Sequence, residues 1–331
     1  MRWIGIDEAG YGPNLGPLVM TAVEAEASGP GTTDDRPGAG AAPDLWTDLA
    51  PGIDRAGGDP ARIWVDDSKA ILRGGKGRDR LELTCLAAIH ATGRGVPATL
   101  ATLLEALGAG TAAEAELSPW FDELEPGTRW PWGCSPESLA PMLDARPLEP
   151  AAGTWRLSAI DVVVVGPARF NAELEATGLK SDVHFSAFRR LLGQAWDRAG
   201  DGRPTFVTGD KHGGRHYYLE SLSRAIPDAW IDRGPETPEL SRYTIRAGAR
   251  RLELTFRPRA DGDNGLVALA SIVSKVVREL WMDGFNAYWC ARIPGLRPTA
   301  GYPVDARRFR LAIESAAVAS GLHPERWWRV K

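Results

Sequence analysis

The stretch WIGIDEAGYGPNLGPLVM, residues 3 to 20, sets two adjacent acids, Asp7 and Glu8, at the end of an apolar run and follows them with glycines and prolines. Trp3, Ile4, Gly5 and Ile6 read as a strand buried on at least one face, and Leu18, Val19, Met20, Ala22 and Val23 read as its hairpin partner. Carboxylates at the end of a buried strand lose hydration, which is costly unless a positive group meets them. An acidic cap or turn would account for one isolated Asp-Glu pair. Acids elsewhere in the chain decide between that reading and a functional site.

Two further strands end in the same way. PTFVTGD, residues 204 to 210, runs into Asp210. SRYTIRAGARRLELTFRPRADGD, residues 241 to 263, reads as two strands joined at Ala247-Gly248, the second running out at Asp261. RIWVDDSK (62 to 69) makes a short strand that also meets acids, and RLSAIDVVVVGP (156 to 167) is a buried strand. Helical spacing covers residues 78 to 92, 168 to 177, 183 to 199, about 214 to 225, 265 to 289 and 304 to 320. Residues 26 to 60 read as a Gly, Ala, Pro and Asp-rich loop excursion, and 107 to 155 as an irregular insertion held down by Trp120, Trp130 and Trp132. No internal repeat interrupts this order, so a single α/β domain over residues 1 to 331 is expected, with residues 265 to 331 as a C-terminal helical part that binds substrate.

In a mixed sheet, neighbouring strand ends converge on one edge where ligands bind. Asp7, Glu8, Asp210 and Asp261 gathered there would repel one another. A divalent cation relieves that repulsion, and Mg²⁺ prefers carboxylate and water oxygens. Two such ions about 4 Å apart can activate a water and stabilise the leaving oxygen of a phosphodiester.

Composition permits this chemistry and excludes other classes. The chain is 44% hydrophobic and 25% charged, ordinary for a globular protein of 331 residues. No run approaches the roughly 18 apolar residues of a membrane span, and the N-terminus enters a strand without a leader, so a cytoplasmic protein with no membrane partner is expected. Cys85, Cys134 and Cys290 stand far apart without C-x-x-C spacing, which indicates neither a disulfide framework nor a zinc site. The net charge of -4 conceals an asymmetry: residues 241 to 331 carry 16 basic against 8 acidic side chains, and the remainder 23 against 35. The C-terminal third is where a polyanion would be held.

GIDEAGYGPNLGPLV resembles the opening motif of the ribonuclease HII and HIII group. Asp67-Ser68-Lys69 is similar to that group's D-S-K motif, ALASIVSKVVREL (268 to 280) to its A-S-I-x-x-K-x-x-R helix, and AGYPVDARRF (300 to 309) to its Gly-Tyr segment. The matches occur in the group's order and span nearly the whole chain. The resemblance implies a ribonuclease H-like fold, a five-stranded mixed sheet flanked by helices, and an enzyme that cleaves RNA-DNA hybrids, or DNA at embedded ribonucleotides, with Mg²⁺ or Mn²⁺; a monomer is expected. It implies Asp7, Glu8, Asp210 and Asp261 as catalytic metal ligands, with Asp263 competing for the fourth place. Gly10, Tyr11, Gly12, Ser68, Lys69, Lys275, Arg278 and Tyr302 are implied as substrate-binding residues, Lys275 and Arg278 on a helix face turned to phosphates. Tyr302 as an ordinary core tyrosine stands beside that reading.

The chain departs from the group where Gly10-Tyr11-Gly12 replaces Gly-Arg-Gly, since a phenol offers no guanidinium fork. A nuclease acting on structured DNA or another RNA, and an inactive hybrid-binding module, therefore remain as alternatives. KHGGRHYY after Asp210 has no counterpart in the group: His212 or His216 is a candidate for proton transfer, and Arg215 for a phosphate contact or a surface position. The tail ERWWRVK, with Trp327 and Trp328, reads as docking the C-terminus, or as a base-stacking element.

Overall fold

Gly5 brings the central strand and the longest helix together. In the computed structural model, which describes residues 1–28, 42–59, 61–73, 76–109, 120, 133–134 and 136–330, strand β1 (Arg2–Ala9) pairs antiparallel with β2 (Leu18–Ala27). A Cβ on Gly5 would lie 2.3 Å from the Leu266 carbonyl carbon, so only glycine admits the long helix against β1 at this depth. Residues 29–41 and 60 of the 26–60 excursion, and 110–119, 121–132 and 135 of the 107–155 insertion, including Trp130 and Trp132, lie outside the described residues.

The sheet has seven strands, not the five expected. Besides β1 and β2 it contains β5 (Trp155–Val165), β6 (Thr205–Asp210), β7 (Trp230–Glu236), β8 (Ser241–Ala247) and β9 (Arg250–Arg257), in the order β5-β2-β1-β6-β9-β8-β7. The β1/β6 and β6/β9 pairs are parallel and the others antiparallel. The unforeseen strand is β7, an edge strand with Gly234-Pro235 near its end and little burial, whose apolar alternation is too weak to read. A separate parallel pair, β3 (Ile53–Asp54) and β4 (Ile63–Trp64), lies within and just after the segment read as loop, as does helix α1 (Leu45–Asp48).

The remaining helices are α2 (Ser68–Arg73), α3 (Gly77–Ala91), α4 (Leu100–Ala106), α5 (Pro136–Asp144), α6 (Pro167–Thr177), α7 (Lys180–Arg198), α8 (Leu219–Ala225), α9 (Ala260–Asp263), α10 (Gly265–Arg292) and α11 (Pro303–Ala319). Asn264 caps α10, its Oδ1 accepting from the amides of Leu266 and Val267 at 3.0 and 3.2 Å.

Strand periodicity sorts the side chains into two cores. Trp3 joins the core built with α10 and α3, whereas Ile4 and Ile6 join Phe188, Leu191 and Leu192 of α7 on the opposite face. Trp120 packs edge-on against Trp281 and Phe285 of α10, with ring centroids 5.7 and 4.8 Å away. Among the described residues no helix is long and apolar enough to cross a membrane.

Candidate active site

The register of the parallel strands brings the first acids together. Ile6 pairs with Gly209 as the last β1/β6 partners, so Asp7 and Asp210 are the next residues on adjacent strands running in the same direction. Alternation along β1 then divides its two acids. Asp7 shares the phase of Trp3 and Gly5 and meets α10, where it bonds the side chain of Ser271. Ser274, one turn on, donates to the Asp7 backbone carbonyl at 3.1 Å and pairs with Thr21 at 2.7 Å. Glu8 has the phase of Ile4 and Ile6 and meets α7, with its Oε2 3.2 Å from His184 Nε2.

Asp261 corrects one expectation. It does not end a strand, because β9 stops at Arg257 and the chain passes through Arg259, in the left-handed region at φ 56°, into the short helix α9. The Arg259 amide bonds the Asp210 carboxylate, as does the Lys211 amide at 2.8 Å, which ties the α9 turn to the end of β6. Asp261 is half-buried and its charge acts on both Asp7 and Asp210, whereas Asp263 is exposed.

The electrostatics follow from burial and like charge. Burial, then the charges of Glu8 and Asp261, hold the Asp7 carboxyl well above the ordinary aspartate range. Asp210 is raised by burial and then by Glu8 and Asp261, and Asp261 by burial and then by Asp67. Burial pushes Glu8 up too, but His184, a hydrogen bond from Asp7 and the Lys69 charge together outweigh it and leave that carboxyl below its usual value. Asp7, buried at 8% exposure, is the acid most reluctant to ionise.

Ser68 of the D-S-K motif is buried and lies 3.1 Å from Ser271, Oγ to Oγ, so it supports the residue that bonds Asp7. Lys69 is exposed, and its charge acts favourably on both Glu8 and Asp261. Lys275 and Arg278 do not lie on a solvated face. Both are buried and bond Glu279 Oε1, at 2.7 and 2.8 Å, and Arg278 Nη2 also donates to the Ala300 carbonyl at 2.9 Å. Tyr302 is half exposed at the start of α11, with the Arg278 guanidinium 5.9 Å from its ring centroid.

Gly10 has φ 90°, and a Cβ there would lie 2.2 Å from the Pro17 carbonyl, so this position demands glycine twice over. Gly12 is exposed with open space around it. Between them the Tyr11 ring stands edge-on to His184, centroids 5.0 Å apart, with Lys180 Nζ 4.9 Å from its centroid. Tyr11 thereby packs on the residue that holds Glu8.

His212 is buried in a cage with Phe188, Tyr218 and Phe256, and burial holds its imidazole well below the ordinary range and neutral. His216 Nδ1 meets Lys211 Nζ at 3.2 Å, and Arg215 pairs with Asp182 at 2.7 Å. The tail docks: Trp327 is fully buried and Trp328 pairs with Leu15.

Sequence reading missed His184, Asp67's part in the charge cluster, and Arg329. His184 had a signal, since a polar residue stands in the apolar stripe His184, Phe188, Leu191 and Ala195 at helical spacing. Asp67 had one too, as an acid just after the short strand of RIWVDDSK; Arg329 had none outside the tertiary arrangement.

The acids supply hard oxygen donors, the kind Mg²⁺ and Mn²⁺ prefer, and their mutual repulsion is what a cation would relieve. That donor chemistry fits a divalent cation. Among the described residues, however, no three His, Cys, Asp or Glu side chains are drawn in around a common point where they would hold an ion as they stand.

No family model matches the sequence, and no curated protein matches it. Solved structures of similar fold include RNase HII of Archaeoglobus fulgidus in complex with PCNA, at 16% identity and TM-score 0.41, covering 100% of this chain and 95% of that one. Ribonuclease H2 from Pyrococcus horikoshii OT3 aligns at 16% identity and TM-score 0.38, over 99% of this chain and 92% of that one. Bst-RNase HIII in complex with Mn²⁺ aligns at 14% identity and TM-score 0.42, over 100% of this chain and 66% of that one. A likeness this distant assigns neither activity nor site residues.

Proposed function

We propose that this chain is a divalent-cation-dependent endonuclease that hydrolyses the RNA strand of RNA-DNA hybrids, or DNA at embedded ribonucleotides. The observation that carries the reading is that Asp7 and Asp210, on separate strands, are both raised first by burial and then by the charges of Glu8 and Asp261, while Asp261 is itself raised by burial and by Asp67. Carboxylates that repel one another in this way cost stability unless function retains them.

In this reading Asp7, Glu8, Asp210 and Asp261 hold Mg²⁺ or Mn²⁺. Bound there, the cation would supply a water nucleophilic at neutral pH and charge for the leaving oxygen. The chain's own residues do the rest. Ser271 and Ser274 fix Asp7 from α10, His184 aims Glu8, and the Arg259 and Lys211 amides orient Asp210. Lys69, exposed beside Glu8 and Asp261, meets a substrate phosphate, and the Gly10-Tyr11-Gly12 loop lies against the ribose. Lys275 and Arg278 both hold Glu279, and Arg278, bonded also to the Ala300 carbonyl, packs against Gly10.

The ribose preference rests on the sequence motifs. Tyr11 in place of an arginine favours the second reading, a nuclease for structured DNA or another RNA. Purified protein with Mg²⁺ or Mn²⁺, assayed on matched DNA duplex, RNA duplex, hybrid, and DNA with one ribonucleotide, separates the two. The hybrid or the ribonucleotide-bearing strand is expected to be cut, leaving a 3′-hydroxyl and a 5′-phosphate. Equal cutting of all-DNA duplex would transfer the assignment to the second reading, and no cutting of any substrate would end both.

A further inference from the structure

The C-terminal tail closes over the loop beside the acids. Leu15 and Trp328 form an antiparallel bridge, the Arg329 amide donates to the Asn14 carbonyl at 2.8 Å, and Asn14 Nδ2 donates to the Arg329 carbonyl at 3.1 Å. Asn171 of α6 holds the tail from the other side, its Nδ2 donating to the Trp328 carbonyl at 2.8 Å and its Oδ1 accepting from the Val330 amide at 2.9 Å. Trp327, fully buried and donating from Nε1 to the Leu322 carbonyl at 3.2 Å, also anchors this segment.

Arg329 is nonetheless buried at 1% exposure, and its guanidinium goes to the loop backbone. Nε donates to the Pro13 carbonyl at 3.1 Å, Nη2 to the same carbonyl, and Nη2 also to the Tyr11 carbonyl at 3.4 Å. The group lies 4.4 Å from the Phe170 ring centroid. Among the described residues no carboxylate pairs with it and Nη1 has no partner. Burial, with Arg278 close by, pushes its pKa down to about 9. With no carboxylate among the described residues to meet it, a buried cation is an expensive way to dock a tail that an apolar side chain would dock as well.

The bonds it makes have a directional consequence. A trans peptide sets its C=O and N–H on opposite sides. With the Tyr11 carbonyl turned inward to Arg329, the Gly12 amide of the same peptide points the other way, and Gly12 is exposed. We propose that Arg329 is a positioning residue that sets the Gly10-Tyr11-Gly12 loop so that the Gly12 N–H is presented to a ribose hydroxyl or phosphate of a nucleic-acid strand. This rests on the nuclease reading above and adds to it a determinant from the far end of the chain.

Arg329→Met keeps the packing volume and removes every donor; Arg329→Lys keeps the charge and one donor group. Three measurements decide: hydrogen exchange of the peptide covering residues 9 to 18, anisotropy of a labelled RNA-DNA hybrid without divalent ions at fixed salt, and KM and kcat on that hybrid. Loss of about two backbone hydrogen bonds predicts roughly tenfold faster loop exchange in Arg329→Met, with Kd and KM raised at least about fivefold, kcat within about twofold, and partial recovery in Arg329→Lys. A purely structural role would speed exchange and leave Kd and KM unchanged, which overturns the proposal. If Arg329→Met does not fold, Arg329→Lys decides alone, and wild-type exchange, Kd and KM in that variant reject it. A wild-type chain that neither binds nor cuts the hybrid sinks both this proposal and the nuclease reading. One that cuts while the variants match it sinks Arg329 only.

Discussion

Asp7 carries the largest electrostatic strain among the four acids, and that strain has a sign. Its folded-state pKa stands above the unfolded value, by burial first and the Glu8 charge next. As pH rises above the ordinary aspartate value of about 4, the unfolded chain releases this proton before the folded one does. The folded state therefore loses stability from there up to the raised value. Asp7→Asn is uncharged at every pH and can keep a bond to Ser271. In metal-free buffer at neutral pH it should melt above the wild type, by roughly 2 °C for each kcal/mol relieved, with the gap closing below about pH 4. Hydrolysis should vanish at the same time. Thermal melts across pH check the first expectation, and an unchanged or lower melting temperature at neutral pH would refute the strain.

At the same scale, the Tyr11 ring works through its packing on His184. Tyr11→Phe keeps that contact and loses one hydroxyl, so the hybrid-over-DNA cleavage ratio should change by less than about tenfold, the equivalent of one hydrogen bond. Ratios measured at one salt concentration, since binding to phosphates varies with salt, test this. A complete loss of preference would make the phenol itself the reader.

Elements matter through two contacts. The first is β1 against α10, made at Gly5, where an added Cβ would meet the Leu266 and Val267 backbone at 2.3 and 2.4 Å. Gly5→Ala must push the helix away, which should cost about 1–3 kcal/mol in urea unfolding and lower turnover, because α10 carries Ser271 and Ser274. Gly12→Ala, with open space around it, should leave stability unchanged. The second contact is the α9 turn on the end of β6. Asp261→Asn should abolish cleavage, whereas Asp263→Asn, at an exposed position, should retain it. The opposite order in initial rates would move the fourth acid by two positions.

Over the whole molecule, the acids belong to the folded state alone, since β1, β6 and α9 are separated in sequence by more than two hundred residues from first to last. A cation held there binds the folded chain and not the unfolded one, so Mn²⁺ at about a hundred times its Kd should add about 2.7 kcal/mol of stability. Thermal melts with Mn²⁺, with Mg²⁺ and with chelator at matched ionic strength should show this gain in the wild type and its loss in Asp210→Asn. No gain with either ion would remove the metal from the proposal.

How far these features were legible in the sequence follows from the range of the forces involved. Alternation and helical spacing are local, so β1, β2, β5, β6, the β8/β9 pair and the helices α3, α6, α7, α10 and α11 could be read directly, as could Asp7, Glu8 and Asp210 as acids at strand ends. β7 could not, because an exposed edge strand buries too little to impose a pattern. Asp261 could be picked out but not its setting, since the left-handed turn at Arg259 is held by the Asp210 carboxylate. The burial of Lys275 and Arg278 depends on Glu279, and that of Arg278 also on the Ala300 carbonyl. The tertiary structure alone decided which distant side chain meets which group: His184 on Glu8, Ser271 on Asp7, and Arg329 on the carbonyls of a loop more than three hundred residues away. These pairings depend on strand phase and on the docking of distant segments, which short-range sequence patterns do not encode.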